Sequence, residues 1–216
     1  MTAMRTVHLA LLKPFVPPGV FTRIDPDVEA CLTPLPELRD RVLGCVEFCH
    51  TLHAGRMTGY SSEGKQVPDA EELSKRRKYL RAALAEFSSM DDAALSDFAN
   101  LPGCSAPRMP SSPDPRLHAV RLLRHANIHL SATNLSPAVR DAVWDGPLGR
   151  QEFRFFMIVA EDVQSSIRAT NDAKRYRPAD LSAMLEWLDA EQREWGIDHT
   201  VLRCAETYAA IVASAV

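Results

Sequence analysis

Apolar residues recur at intervals of three and four positions through most of the chain after residue 36. This spacing is typical of helices that bury one face and expose the other. It predicts helices at about Glu37 to Ala54, 69–88, 91–99, 117–130, 148–171, 180–195 and 198–215. The alternating pattern of a half-buried strand is nearly absent. The sequence therefore predicts an all-α fold, an irregular helical bundle.

Prolines divide the chain. The first 36 residues contain prolines at positions 14, 17, 18, 26, 34 and 36. Because proline interrupts helices, this part is predicted to be an extended arm, with the apolar run from Val7 to Leu12 as a candidate strand. A second proline-rich stretch, at about 102–115, predicts a linker. The predicted organisation is an extended N-terminal arm, 1–36, and a helical domain, 37–216, which contains the linker.

Composition and charge limit the class of protein. The 216 residues are 46% hydrophobic and 25% charged, with a formal net charge of −3, as in ordinary globular proteins. A slightly acidic chain does not have the broad basic surface of a protein that coats nucleic acid. Any contact with nucleic acid therefore requires several arginines in one place, and the candidates are Arg116, Arg121 and Arg124.

The five cysteines are an odd number, which favours a reducing compartment over a disulfide framework. No run approaches the roughly 20 apolar residues of a membrane-spanning helix, and no secretory signal pattern is visible. We therefore expect a cytoplasmic protein that does not contact a membrane. Cys45, Cys49 and His53 repeat every four residues and could hold zinc, but cysteines in an apolar stripe are more often core residues.

The most informative segment is the predicted helix 117–130, which Asp114 and Pro115 start as N-cap and first residue. One side of this helix is apolar. A polar stripe on another side consists of His118, Arg121, His125 and His129. Arg124 and Asn127 fall within or beside the apolar face, where an unpaired guanidinium is costly. The position of Arg124 therefore requires an explanation.

Two explanations of Arg124 are open. It forms a structural ion pair with Glu161 or Asp162 of the following helix, or it lines a cleft where this helix meets its copy in a second subunit. His125 and His129 have the spacing of a helical metal pair, but the glutamate of the His-Glu-x-x-His motif is missing and no third ligand can be assigned. We therefore predict no metal and no cofactor.

The hexad Arg124-His125-Ala126-Asn127-Ile128-His129 resembles the Arg-x4-6-His motif of the HEPN superfamily (higher eukaryotes and prokaryotes nucleotide-binding domains). The resemblance extends from Glu37 to about Asn171. It implies an all-α bundle that cleaves RNA without a metal, leaving a 2′,3′-cyclic phosphate. It also implies a homodimer formed through the motif helix, in a toxin, abortive-infection or phage-defence setting. An antitoxin or another defence protein is then a candidate partner.

The resemblance also implies roles for the motif residues. Arg124 is expected to bind the phosphate, since a guanidinium is permanently charged and binds oxygens in bidentate fashion. His129 is expected to transfer protons, since an imidazole titrates near neutrality. Asn127 and His125 are expected to be auxiliary catalytic residues. On a straight helix, Arg124 and His129 are about 140° apart in azimuth, a separation that a dimer relaxes by bringing two motifs into one cleft.

Arg121 and His118 of the polar stripe are candidates for substrate binding. The basic run at 75–78 is predicted to be a solvated helix face that could also guide RNA. The rival hypothesis is a non-catalytic interaction or scaffold module, an inactive HEPN-like domain that binds protein or nucleotide and uses Arg124 structurally. The sequence predicts different behaviour for the two classes on mutation of Arg124 and His129.

Overall fold

The computed structural model describes residues 4–15, 24–54, 59–60, 66–67, 69–129, 135–143, 150–158 and 160–216, with side chains at 4–15, 24–54, 69–126, 155–158 and 163–216. Its helices are α1 (Pro26–Cys31), α2 (Pro36–His53), α3 (Ala70–Phe98), α4 (Pro115–His129), α5 (Ala160–Ala169), α6 (Pro178–Trp195) and α7 (Ile197–Ala213). Its strands are β1 (Gly59–Tyr60), β2 (Gln66–Val67), β3 (Leu135–Val143) and β4 (Arg150–Ile158). The predicted class, a helical bundle, is confirmed. Two antiparallel hairpins, β1–β2 and β3–β4, are added to it.

Helices α2 and α3 pack along each other and provide a large part of the core. The predicted apolar stripe of α2 is buried, and it consists of Leu38, Val42, Cys45, Cys49 and Leu52. Helix α3 was predicted as two helices, 69–88 and 91–99, but it is continuous. Met90, Ala93 and Ala94 are buried in its second half, so tertiary packing carries the helix through the serines and aspartates at positions 88–92, where the two predicted pieces meet.

Helix α4 lies in the middle of the bundle and contacts α3, α5, α6 and α7. Its predicted start is confirmed, since Asp114 Oδ1 accepts a 2.9 Å hydrogen bond from the backbone N–H of Arg116. The residues that it buries include Leu117, His118, Ala119, Val120, Leu122, Leu123 and Ala126. Because neighbouring helices cover most of its circumference, only a narrow part of α4 faces solvent over the described residues 115–126.

Residues 135–143 and 150–158 differ from the prediction. Strands β3 and β4 pair in antiparallel register, from Leu135 opposite Ile158 to Val143 opposite Arg150. The predicted helix 148–171 is therefore wrong over its first half, and the helix in this region, α5, begins at Ala160. The prediction of almost no strand is wrong here for the same reason.

Packing explains why residues 150–158 form the strand β4. It is rich in phenylalanine and ends in isoleucine, residue types that favour pleated, half-buried backbone. Phe155, Phe156 and Ile158 are buried against the helices. The side-chain amide of Gln192 in α6 donates to Ile158 O at 3.1 Å and accepts from Ile158 N at 2.8 Å. An amide of α6 thus satisfies the end of β4 where it enters the core.

Gly196 separates α6 from α7, as the sequence predicts. Its φ of 90° lies in the left-handed region that glycine adopts without strain. A Cβ at this position would lie 2.8 Å from the Cβ of Phe155, so the close packing of β4 also requires glycine. Across the described residues, no helix is both long and apolar enough to cross a membrane.

The N-terminal arm is fastened to the bundle. The predicted strand from Val7 to Leu12 is not formed, since this run contains a 3-10 turn at Leu9–Leu11. The backbone N–H of Arg5 donates to Arg175 O at 2.7 Å, and that of His8 donates to Pro113 O at 2.8 Å. The arm is therefore held by single backbone hydrogen bonds to two separate parts of the chain, and not by pairing with another strand.

The other attachment of the arm is Phe15. Its ring packs edge-on against Trp187, with centroids 5.8 Å apart, and the Arg116 guanidinium lies 4.7 Å above it. Its backbone N–H faces the carboxylate of Glu191, at 3.3 and 3.4 Å from the two oxygens. Burial raises the pKa of Glu191 to about 7, although this N–H and Arg116 oppose the change. Glu191 is therefore an ionisable group beside the docked arm.

We expect Glu191→Gln to stabilise the protein above pH 7. The unfolded chain releases this proton near pH 4.5 and the folded protein only near pH 7, so folding loses stability as pH rises through that interval. The loss is about 3 kcal/mol for the wild type. Urea denaturation at several pH values should show this slope in the wild type and in the exposed control Glu186→Gln, but not in Glu191→Gln. Equal slopes in all three proteins would contradict the assignment.

Candidate functional site

Three half-buried side chains of α4, Arg121, Arg124 and His125, border open clefts. The larger cleft, of about 660 Å³, lies between α4, the C-terminal half of α5 and the turn that follows α5. The smaller cleft, of about 420 Å³, lies between α4, the middle of α3 and the 102–115 linker. Arg121 and His125 line both clefts, and Arg124 lines the smaller one. Arg124 thus lies at the solvent-accessible edge of the smaller cleft rather than within the apolar face of α4.

The carboxylate of Asp172, in the turn after α5, is the centre of the larger cleft. Its Oδ2 lies 3.0 Å from Arg121 Nη1, 3.1 Å from Arg5 Nη1 and 3.7 Å from His125 Nε2. Its Oδ1 lies 3.5 Å from Arg175 Nη1. These five residues, the Asp172 cluster, come from the arm, from α4 and from the turn. One carboxylate therefore gathers three guanidinium groups and an imidazole.

The charges of the Asp172 cluster do not cancel. Burial alone would raise the pKa of Asp172, but Arg121 and Arg5 bring it below the ordinary value, so the carboxylate is ionised. Burial and the nearby Arg121 lower the pKa of His125, so its imidazole is neutral at pH 7. Three arginines against one carboxylate leave two positive charges in the cluster. The larger cleft therefore favours anions.

His118 lies behind the Asp172 cluster, in the protein interior. Its Nε2 is 2.8 Å from Ser112 O and must carry the proton, since a carbonyl only accepts. Its Nδ1 then accepts from the hydroxyl of Tyr176 at 2.7 Å, and this hydroxyl oxygen accepts from Arg5 Nη1 at 2.7 Å. Burial lowers the pKa of His118. Both ring nitrogens are used inside the protein, so the structure places this predicted substrate-binding residue outside the clefts.

The smaller cleft combines Arg124 with an ion pair of the linker. Asp91 of α3 accepts hydrogen bonds from Arg108 Nε at 3.0 Å and from Arg108 Nη2 at 2.6 Å. Arg124 forms no ion pair with any side chain that the structure describes. The side chains of its predicted structural partners, Glu161 and Asp162, lie outside that described set. The ion-pair explanation of Arg124 therefore stays a prediction.

The last turn of α4 carries Asn127 and His129, the other predicted catalytic residues. Their backbone is helical, but their side chains lie outside the described residues. The roles predicted for Asn127 and His129 stay predictions.

The candidate zinc ligands of α2 have other surroundings. Cys45 and Cys49 are buried in the core. A hydrogen bond to Cys45, together with burial, raises the pKa of the Cys49 thiol well above its ordinary value, which disfavours the thiolate that binds metal. His53 Nδ1 lies 2.9 Å from Asp198 Oδ2. Within the described part of the chain, no group of histidine, cysteine and acidic side chains is arranged to hold a metal ion.

Two other predicted basic features also serve the fold. In the run 75–78, predicted as a solvated face, Arg76 is buried. It donates to the carbonyls of Thr51 and Leu52 at the end of α2 and pairs with Glu72. Arg116, a candidate for nucleic-acid contact, pairs with Asp114 at 2.7 Å and stacks on the ring of Phe15. Of the three arginines proposed from the sequence, Arg121 and Arg124 line the two clefts described above, and Arg116 does not.

Sequence reasoning missed Asp172, Arg175 and Arg5. Asp172 and Arg175 lie in a short polar turn between helices, where charged residues are ordinary. Arg5 is 167 positions from Asp172 in the chain. No spacing rule connects residues so far apart. The available signal was the polar stripe of α4, which identified two cluster members, Arg121 and His125.

The fold and the site define a class, a helical-bundle protein with an arginine-rich, anion-attracting cleft on its central helix. Comparison of the chain with models of known protein families, with curated proteins and with solved structures finds no match in any of the three.

Proposed function

We propose that the protein is a metal-independent endoribonuclease of the HEPN type, which cleaves RNA through a 2′,3′-cyclic phosphate. One observation carries the proposal. The motif helix α4 is buried on most sides, yet Arg121, Arg124 and His125 emerge together at two adjoining clefts, the larger of which has excess positive charge. A helix that served only the core would not need three such groups at its solvent edge.

The proposed reaction uses groups of α4. The ribose 2′-hydroxyl attacks the adjacent phosphorus, its proton passes to a base, and the leaving 5′-oxygen receives a proton from an acid. Arg124 binds the phosphate oxygens as negative charge develops. His129 transfers a proton, and the neutral His125, one turn earlier, orients the phosphate or His129. Asn127 assists in holding these groups.

A homodimer through α4 is part of the proposal. Since neighbouring helices cover most of α4 over residues 115–126, we expect a second copy to reach the described part of this helix along the edge with Arg121, Arg124 and His125. Two motifs facing each other at this edge would share one substrate cleft. The toxin or phage-defence setting and an antitoxin partner belong to the proposal through the HEPN resemblance alone.

The test is a cleavage assay with purified protein, total RNA and tRNA in excess EDTA. We expect cleavage that resists EDTA and leaves 2′,3′-cyclic phosphate and 5′-hydroxyl ends. Cleavage that EDTA abolishes, or fragments with 5′-phosphate ends, would contradict the proposed chemistry. Light scattering of the same sample measures whether the active species is a dimer.

A second candidate, a non-catalytic interaction module, is favoured by one specific observation. The Asp172 cluster joins the arm, α4 and the turn after α5, which gives its arginines a structural task. In that case the clefts hold a partner or a nucleotide without cleaving it. Complete absence of cleavage by folded protein would favour this candidate.

A further inference from the structure

The larger cleft has more positive charge than its own carboxylate balances. Arg121, Arg175 and Arg5 surround the single carboxylate of Asp172, which leaves two charges uncompensated among the described residues. Arg5 is almost fully covered and holds Asp172 from the protein side, whereas 38% of the Arg175 side chain is exposed at the cleft. The uncompensated charge therefore faces solvent through Arg175 and Arg121.

Two donors at this site are unsatisfied. Arg121 Nη1 and Arg175 Nε are buried atoms without a hydrogen-bond acceptor among the described residues. Arg121 Nη1 is 3.0 Å from Asp172 Oδ2, but the pair is not aligned as a hydrogen bond. Buried donors in folded proteins nearly always have a partner. An anion with several oxygens would supply acceptors for both guanidinium groups.

We propose that the larger cleft binds a phosphomonoester, held by Arg121 and Arg175, whose guanidinium groups Asp172 fixes in place. A phosphomonoester carries close to two negative charges at neutral pH and presents three terminal oxygens, which matches two uncompensated charges. An internal phosphodiester carries one charge and matches the site less well. Guanidinium groups bind phosphate oxygens in bidentate fashion, with a geometry that lysine does not reproduce.

The size of the cleft fits more than a phosphate group. Its volume of about 660 Å³ lies in the range of sites for small molecules. Beyond the arginines, Ser166, Thr170 and Asn171 line it with polar groups suited to a ribose. The phosphomonoester is therefore the phosphate of a free mononucleotide or the phosphorylated end of an RNA. Use of the site for RNA rests on the proposed function, whereas phosphate binding itself does not.

Calorimetric titration of the full chain tests the site. The probes are inorganic phosphate, uridine 5′-monophosphate, dimethyl phosphate, and one short non-cleavable 2′-O-methyl oligonucleotide with or without a 5′-phosphate. We expect the dianionic probes to bind at least about tenfold more tightly than dimethyl phosphate, with affinity falling as salt rises. A preference for the 5′-phosphorylated oligonucleotide identifies an RNA end as the ligand. Tight binding of uridine 5′-monophosphate, with equal binding of the two oligonucleotides, identifies the mononucleotide.

Variants of Arg175 complete the test, since its partly exposed side chain can change without opening the core. Arg175→Gln should weaken phosphate binding about tenfold, Arg175→Lys should retain part of the affinity, and the neighbouring control Lys174→Gln should bind like the wild type. Equal affinity for dimethyl phosphate, or an unchanged affinity of Arg175→Gln, would overturn the proposal. Binding is measured without cleavage. Phosphate binding can therefore be confirmed even if the protein does not cleave RNA, and cleavage can be confirmed even if this cleft does not bind phosphate.

Discussion

Arg124→Ala and His129→Ala are each expected to lower the rate of RNA cleavage by about a thousandfold while leaving the fold intact. Removal of the arginine takes away the cation at the phosphate, and removal of the imidazole takes away a proton-transfer group, each of which contributes rate factors of this order. Arg124 is half-buried at the edge of the smaller cleft, so its truncation opens no cavity in the core. Initial rates and urea midpoints measured on the same preparations separate catalysis from stability.

Matched controls keep this experiment specific. Arg193→Ala removes a guanidinium from an exposed position of α6, and His50→Ala removes an imidazole from an exposed position of α2. Both should cleave at the wild-type rate. Unchanged cleavage in Arg124→Ala and His129→Ala together would refute the ribonuclease proposal. Loss of stability in Arg124→Ala, with His129→Ala unaffected, would instead indicate the interaction module.

Asp91→Ala is expected to destabilise the protein by about 3 kcal/mol. Asp91 accepts from both Arg108 nitrogens, from the backbone N–H of Met109 at 2.7 Å and from the hydroxyl of Tyr208 at 3.0 Å. Alanine would leave the buried N–H of Met109 without its acceptor and would release the linker from α3 and α7. The measurement is the free energy of unfolding in urea at neutral pH.

The neighbouring Asp92→Ala is the control, because Asp92 is exposed on the same helix. It should change the free energy of unfolding by no more than about 0.5 kcal/mol. Burial opposes ionisation of Asp91, but its hydrogen bonds hold its pKa below the ordinary value. The stability that it adds is therefore present above the unfolded pKa and lost as pH falls through the lower folded pKa. Equal stability of the Asp91 and Asp92 variants would refute this role.

The bundle and most helix positions could be predicted because a buried face leaves a local, periodic signal. The stripe of α2, the cap of α4 at Asp114 and the break at Gly196 all appear where spacing and residue type indicate them. The pairing of β3 with β4 could not be predicted in this way. A buried apolar run is compatible with helix or strand, and contacts with α6 and α7 decide between them.

The candidate site shows the same division. The polar stripe of α4 identified Arg121 and His125 but also included His118, whose exposure depends on Tyr176 and Ser112 rather than on helix azimuth. Helical spacing placed Arg124 within or beside the apolar face, and the packing of α3 and the linker leaves it at the edge of a cleft. The exposure of a helical residue depends on which neighbours cover it, and helical spacing contains no information about those neighbours.

The sequence by itself determined the helical class and the start of α4, and it identified Arg121 and His125 as polar residues on one side of α4, because these features depend on interactions within a few residues. Only the tertiary structure decided that Asp172, Arg175 and Arg5 join that helix in an anion-attracting cleft. It also decided that Arg76 and His118 serve the interior. Ion pairs and burial are long-range properties, since they bring together residues as far apart as 167 positions, which no local pattern encodes.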